Sequence, residues 1–152
     1  MKNKILQKNR EAGFVLLFAV TLASLLLAIA LGVANIALKE VKFGTNARDA
    51  NEAFFAADTG IEKVLFNDRS DNNSYVAVSG QTFTWDNIVV SGLGGTGKSC
   101  AIVKITKDDR RIAPVTAMIT TIVSKGYNTG SGLSGSCSPT DNSVERQIVS
   151  NY

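Results

Sequence analysis

Hydrophobic and polar positions divide the chain into two parts of different character. Residues 14–38 contain no charged side chain, and a helix of about 20 such residues crosses the hydrocarbon core of a bilayer. A cleaved secretory signal has a shorter apolar region, of about 7–15 residues. The length of this run therefore predicts a membrane-spanning helix over 14–38, in which Thr21, Ser24 and Asn35 are tolerated polar positions.

The helical pattern continues beyond the predicted membrane segment, over residues 39–66. No proline interrupts 14–66, and apolar residues recur at alternating steps of four and three, which places them along one side of a helix. We call this set the seam; it comprises Phe43, Ala47, Ala50, Phe54, Ala57, Ile61 and Val64. We expect part of the seam to pack on the downstream domain and the remainder to pack against helices of other subunits. Asn67-Asp68 is predicted to end the helix.

Residues 67–152 are predicted to form a small β-rich domain. Runs rich in β-branched and aromatic residues alternate with clusters of Gly, Asn, Ser and Asp that favour turns. Without intervening helices, such strands indicate an antiparallel sheet, so the predicted fold is α+β, a long N-terminal helix packed on a small antiparallel sheet. Residues 126–140 are predicted to form a long loop. The predicted strands are Thr82–Trp85, Ile88–Val90, Cys100–Lys107, Val115–Lys125 and Val144–Tyr152.

The net charge of +3 is located entirely in the first thirteen residues. Four basic residues and Glu11 give 4 − 1 = +3 in this leader, and residues 14–152 carry 12 basic and 12 acidic side chains. A basic leader before an apolar helix indicates an N-terminus held in the cytoplasm. We therefore expect orientation at a membrane and no nucleic-acid partner.

Cysteine and histidine content restricts the chemistry. The two cysteines, Cys100 and Cys137, lie downstream of the membrane segment, where an exported domain meets oxidising conditions. An even count there favours a disulfide, and two unpaired thiols are the alternative. The chain has no histidine, so a Ser–His or Cys–His nucleophile pair cannot form. We expect no enzymatic activity, no cofactor and no metal site.

The leader and the start of the helix resemble those of type IV pilin-like proteins. Glu11-Ala12-Gly13 is followed at once by Phe14 and the apolar helix, which resembles a prepilin peptidase site that is cut after Gly13. Residues 53–62, AFFAADTGIE, are similar to the A-F-x-A-A-E/D-x-G-[IVL]-E run that follows the membrane helix in PilX-type minor pilins. The resemblance covers about residues 8–66.

This resemblance implies a route of assembly. The precursor would sit in the inner membrane, single-pass, with its C-terminal domain outside. The peptidase would remove residues 1–13, and the new amino group of Phe14 would be methylated. An inner-membrane assembly platform would then move the subunit from membrane lipid into a surface fibre, where its N-terminal helix packs against other pilin or pseudopilin subunits.

The residue at the fifth position of the mature chain departs from the usual pilin pattern. Most pilins carry Glu there, whereas this chain has Phe18. A carboxylate within a bilayer is costly and normally marks function, so its replacement argues against self-polymerisation. Minor and tip subunits of the family often lack it, and we therefore expect a minor pilin or pseudopilin. The alternative is a single-pass anchored domain that binds an extracellular ligand and never polymerises.

Residues 92–99, GLGGTGKS, match the spacing of the phosphate-binding loop. That loop requires a helix directly after it, so that the helix N-terminus faces the phosphates. The following residues favour a strand, and we expect a Gly-rich hairpin connection. Nucleotide binding by Gly92–Ser99 is a remote alternative.

Overall fold

The computed structural model describes residues 4–70, 73–78, 80–109, 118–132 and 135–152, with the backbone alone for residues 4–12. Within these ranges one long helix is followed by four strands. The chain divides into two compact units, Met1–Thr45 and Asn46–Tyr152. The described part of the first unit consists of helix alone.

The N-terminal helix, α1, spans Lys4–Arg69. Its length follows from the lack of proline, which would break a helix interior, and from the many good helix formers among its residues. The Ser70 amide donates a hydrogen bond to the carbonyl of Phe66 and closes the last turn. The helix ends at Arg69, slightly beyond the predicted stop at Asn67-Asp68, and the side chain of Asp68 is buried.

The four strands form one antiparallel sheet in the order β1-β2-β3-β4. The strands are Thr82–Leu93 (β1), Ser99–Asp109 (β2), Met118–Tyr127 (β3) and Glu145–Asn151 (β4). Each strand pairs with its sequence neighbour, so the sheet is a simple meander. The predicted α+β fold, a long helix packed on a small antiparallel sheet, is confirmed.

The core lies between the C-terminal part of α1 and one face of the sheet. Alternate residues of β2 and β3 point to this face, which is the period-two pattern of a half-buried strand. The core cluster comprises Ile61, Val64, Tyr75, Val90, Ala101, Val103, Ile105 and Ile122. Trp85 packs at its edge, with its ring 5.5 Å from that of Tyr75.

The observed strands differ from the predicted ones at two places. The runs at Thr82–Trp85 and Ile88–Val90 belong to one strand, because a bulge at Asn87, with φ of 57°, absorbs the polar interruption; Asn tolerates this left-handed conformation. Gly126 and Tyr127, predicted to begin a long loop, instead complete β3. The start of the predicted strand Val115–Lys125 lies outside the described residues.

Candidate functional site

The apolar part of α1 is long and apolar enough to cross a membrane. The candidate span has a mean hydropathy of 2.8, and every residue of 13–45 is exposed. The hydroxyls of Thr21 and Ser24 donate to the carbonyls of Phe18 and Thr21, each at 2.8 Å. Because these donors are satisfied within the helix, they suit a hydrocarbon environment that offers no hydrogen-bond partner.

The predicted processing residues lie within α1. Gly13 has no atom within 4 Å of the position that a Cβ would occupy, and the side chain of Phe14 is 72% exposed. Neither residue is covered by another part of the described chain. The Gly13–Phe14 bond is thus open to an approaching protein, and its backbone is helical.

The structure divides the seam. Ala57, Ile61 and Val64 are buried against the sheet, whereas Phe43 and Phe54 are 78% and 48% exposed. Ala47 is exposed and Ala50 is half-buried. The last three seam residues therefore serve the fold of the Asn46–Tyr152 unit, and the earlier aromatic positions are available to another molecule.

Small residues on α1 allow the helix to approach the sheet closely. Ala53 and Ala57 are completely buried and lie over Gly126 of β3, where an added Cβ would come within 3.0 Å of their backbone atoms. Gly60 lies over Val103 and the side chain of Ser124, and an added Cβ would be 2.9 Å from Val103 Cγ2. Three positions of the AFFAADTGIE segment, Ala53, Ala57 and Gly60, are therefore explained by packing within this chain.

The two adjacent phenylalanines of the same segment are exposed, Phe54 at 48% and Phe55 at 64%. Phe55 packs edge-to-face on Phe54, with ring centroids 6.0 Å apart. Phe66, one turn before the helix end, is 74% exposed and lines an open cleft of about 330 Å³ that continues to Arg69. Exposed aromatic residues on a folded domain are candidates for contacts with a partner, since they are enriched at protein interfaces.

A disulfide joins Cys100 of β2 to Cys137, with the Cα atoms 5.7 Å apart, which confirms the predicted pairing. Cys100 alternates with core-facing neighbours on β2, so it points to the sheet face opposite α1. The Ser131 amide donates to the carbonyl of Lys98 at 2.9 Å, and the Ser131 hydroxyl accepts from the amide of Gly92 at 2.8 Å. The disulfide and the two hydrogen bonds of Ser131 hold the residues around Cys137 on the β1–β2 hairpin.

The phosphate-loop spacing at residues 92–99 lies in this hairpin. β1 ends at Leu93 and β2 begins at Ser99, where a phosphate-binding loop would begin a helix. The Gly97 amide donates to the carbonyl of Gly94 at 3.1 Å, and Gly92, Gly94 and Gly97 have positive φ. These features belong to a glycine-rich turn, as the sequence predicted.

A buried polar cluster that the sequence analysis did not predict connects the end of α1 to the sheet. Lys107 of β2 is 3% exposed and Asp68 is 8% exposed, and the ammonium of Lys107 contacts Asp68 Oδ1. The hydroxyl of Tyr152 donates to Asp68 Oδ2, and the guanidinium of Arg69 lies 5.0 Å from the centre of the Tyr152 ring. On the core face of β2, Lys107 follows Ile105 and precedes the acidic Asp109, so the local pattern is equally typical of a strand that leaves the core and does not indicate a buried lysine.

A second polar group lies on the other sheet face, between β3 and β4. The hydroxyl of Tyr127 donates to Glu145 at 2.8 Å, and Lys125 pairs with the same carboxylate at 3.1 Å. Burial and this carboxylate raise the pKa of Tyr127 to about 12. The hydrogen bonds from Tyr127 and Lys125 lower the pKa of Glu145. The stability that this cluster contributes is thus lost at high pH through Tyr127 and at low pH through Glu145. Between these limits the cluster holds β4 on β3.

Comparison with known proteins does not assign the chain to a family. No protein-family model, no curated protein and no solved structure matches the chain. In the described residues no group of three or more His, Cys, Asp or Glu side chains is placed to hold a metal ion. The exposed features of α1 are its apolar segment over residues 13–45 and the aromatic side chains of Phe54, Phe55 and Phe66.

Proposed function

We propose that this chain is a structural subunit of a type IV pilus-like fibre, of the minor pilin or pseudopilin kind. The observation that carries the proposal is the helix α1, which is exposed over all of residues 13–45 and has no charged side chain over 14–38. A helix that is apolar all round requires an apolar environment. In the precursor that environment is the membrane, and in the fibre it is the bundle of other subunits' helices.

The packing of the small residues of the AFFAADTGIE segment also supports the proposal. They seat α1 directly on the sheet, so the downstream domain is carried on the same helix that would join the bundle. Phe54, Phe55 and Phe66 remain exposed and form an aromatic surface on α1 that the sheet does not cover. This surface is the one through which the folded domain would meet neighbouring subunits.

The orientation and processing follow from the basic leader. Residues 1–13 carry all of the net charge and would remain in the cytoplasm, while the disulfide-bonded domain would lie outside. Prepilin peptidase would cut after Gly13, and Phe14 would become the methylated N-terminus of the mature chain. Inner-membrane assembly proteins would then transfer the subunit into the fibre.

An anchored ligand-binding domain that never polymerises is the second candidate. Phe18 favours it, since a Glu at this position is the usual polar feature of the membrane helix in polymerising pilins. Under this candidate the leader is not cut, and α1 serves only as an anchor. The cleft beside Phe66 would then be a site for a ligand.

Processing of the precursor separates the two candidates. The full chain is co-produced with a prepilin peptidase in bacterial membranes, and the mass of its N-terminal peptide is measured. We expect a chain that begins at methylated Phe14, and we expect a Gly13→Val variant to keep its leader, because the added side chain blocks a site that is otherwise clear. Recovery of the uncut leader on the unaltered chain would contradict the proposal.

A further inference from the structure

The buried contact between Lys107 and Asp68 brings together an amine and a carboxyl group, two groups that can condense to an amide. The two residues are 39 positions apart and come from different elements, the last turn of α1 and the C-terminal end of β2. Their side chains are 3% and 5% exposed, so water has almost no access to either. The ammonium nitrogen of Lys107 and an oxygen of the Asp68 carboxylate are in direct contact.

The direct contact allows a proton to pass between the two groups, and burial keeps bulk water away from them. Transfer of one proton from Lys107 Nζ to the Asp68 carboxyl gives a neutral amine in contact with a neutral acid. A neutral lysine amine is a nucleophile, and two reactants held in contact act at effective concentrations of up to about 10⁵–10⁸ M.

Tyr152 supplies the remaining requirement, which is stabilisation of the charge that develops on the carboxyl group. Its hydroxyl donates to Asp68 Oδ2, the oxygen that does not contact Lys107. Burial and the Asp68 carboxylate raise the pKa of Tyr152 to about 12, so the hydroxyl keeps its proton at neutral pH. A donor fixed at the oxygen that becomes negative in a tetrahedral intermediate is a recognised means of accelerating acyl transfer.

We propose that Lys107 and Asp68 form an intramolecular isopeptide bond. After the proton transfer, Lys107 Nζ attacks Asp68 Cγ, and the C–N bond forms while Tyr152 holds the negative Oδ2. The Cγ–Oδ1 bond then breaks, and Oδ1 leaves with two hydrogens as water. The products are one amide and one water molecule, and no oxidant, reductant or other reactant is consumed. The bond ties the end of α1 covalently to β2.

The test is the mass of the full chain, produced in membranes and purified in detergent. We expect a mass lower by one water molecule than that of the disulfide-bonded sequence, and a protease digest that contains the Lys107 peptide joined to the Asp68 peptide. Lys107→Met and Asp68→Leu should each restore the missing water. Tyr152→Phe should slow the appearance of the bond by about 100-fold, the effect of removing one such donor, when the mass of newly synthesised chain is followed over time.

Lys104 is the matched control within the same strand. It pairs with Asp86 at 3.1 Å, but both side chains are more than half exposed, so this pair should remain ionic and Lys104→Met should keep the wild-type water loss. The proposal is overturned by a full chain that retains the water. It is equally overturned if the loss maps to a cyclised Asp68 while Lys107 is still free to react with an amine reagent. Neither result bears on fibre assembly, which is tested separately.

Discussion

The close approach of α1 to the sheet depends on the absence of a side chain at Gly126, and Gly126→Ala tests this dependence. A Cβ at this position would come within 3.0 Å of Ala53 O, Ala57 N and Ala57 Cα. All three are backbone atoms of a helix and cannot rotate away. The helix must therefore move outward, which loosens the contacts of Ala53, Ala57 and the residues packed beside them.

The magnitude follows from the known cost of overpacking, about 1–3 kcal/mol in cores where side chains can adjust. We expect about 3 kcal/mol here, since the obstructing atoms are backbone. The entropy gained by replacing glycine in a strand offsets less than about 1 kcal/mol of this. With the resulting net loss of about 2–3 kcal/mol and a urea dependence of about 1.5 kcal/mol per M, the midpoint of unfolding should fall by roughly 1.3–2 M.

The assay is urea unfolding of the full chain in mild detergent, followed by fluorescence of Trp85, the only tryptophan, which packs at the edge of the core. Gly95→Ala is the matched control, because nothing lies within 4 Å of its added Cβ and its φ is not positive. The control should stay within about 0.5 kcal/mol of wild type. A Gly126→Ala variant as stable as the control would refute the packing described for α1.

Three further predictions concern the disulfide and the pH dependence of folding. Cys100→Ser opens a bridge with a sequence separation of 37 and should lower the free energy of unfolding by about 4 kcal/mol; an unchanged urea midpoint would contradict it. Because the folded-state pKa values of Tyr127 and Tyr152 are raised to about 12, their contribution should be complete below pH 10 and lost as the pH rises toward 12. Unfolding curves of Tyr127→Phe should show a weaker alkaline loss, and an unaltered pH profile would count against this. Because the pKa of Glu145 is lowered, its contribution is present above its ordinary value of 4.5 and lost on acidification, so Glu145→Gln should flatten the acid limb measured by circular dichroism.

The helix and the sheet were predictable because their signals are local. A proline-free apolar run followed by a regular seam predicts one long helix, and alternating β-branched runs predict strands. The sequence does not predict that Thr82–Trp85 and Ile88–Val90 form one strand, because Asp86-Asn87 between them is typical of a turn. A bulge in β1 accommodates the same residues without ending the strand.

The sequence predicts Gly126 as the start of a loop, and glycine is depleted in strands. The structure gives it a tertiary reason: a strand residue without a side chain is needed where α1 crosses β3. The period of the seam predicts the helix but not which residues of the helix contact the sheet. The residues that contact the sheet are centred on Ala53, Ala57, Gly60 and Val64, and the seam residue Phe54 is therefore exposed.

The buried Lys107–Asp68 contact could not be predicted from local pattern at all. Its two residues are 39 positions apart, and each alone is typical of a solvated position. Only the meander, which brings the end of β2 beneath the last turn of α1, places them together. The paired Cys100 and Cys137 were predictable for a different reason, since a single pair of cysteines leaves one possible bridge.

The central claim is that the exposed helix α1 joins this chain to other subunits in a fibre. The most direct measurement is the location of the chain in cells of its natural host: surface filaments are sheared off, purified without detergent and probed for this chain by mass spectrometry and immunogold labelling. The account predicts that the mature chain is part of the filaments, with Phe14 at its N-terminus, and that Gly13→Val removes it from them. A chain that stays wholly in the membrane fraction with its leader attached would contradict the account.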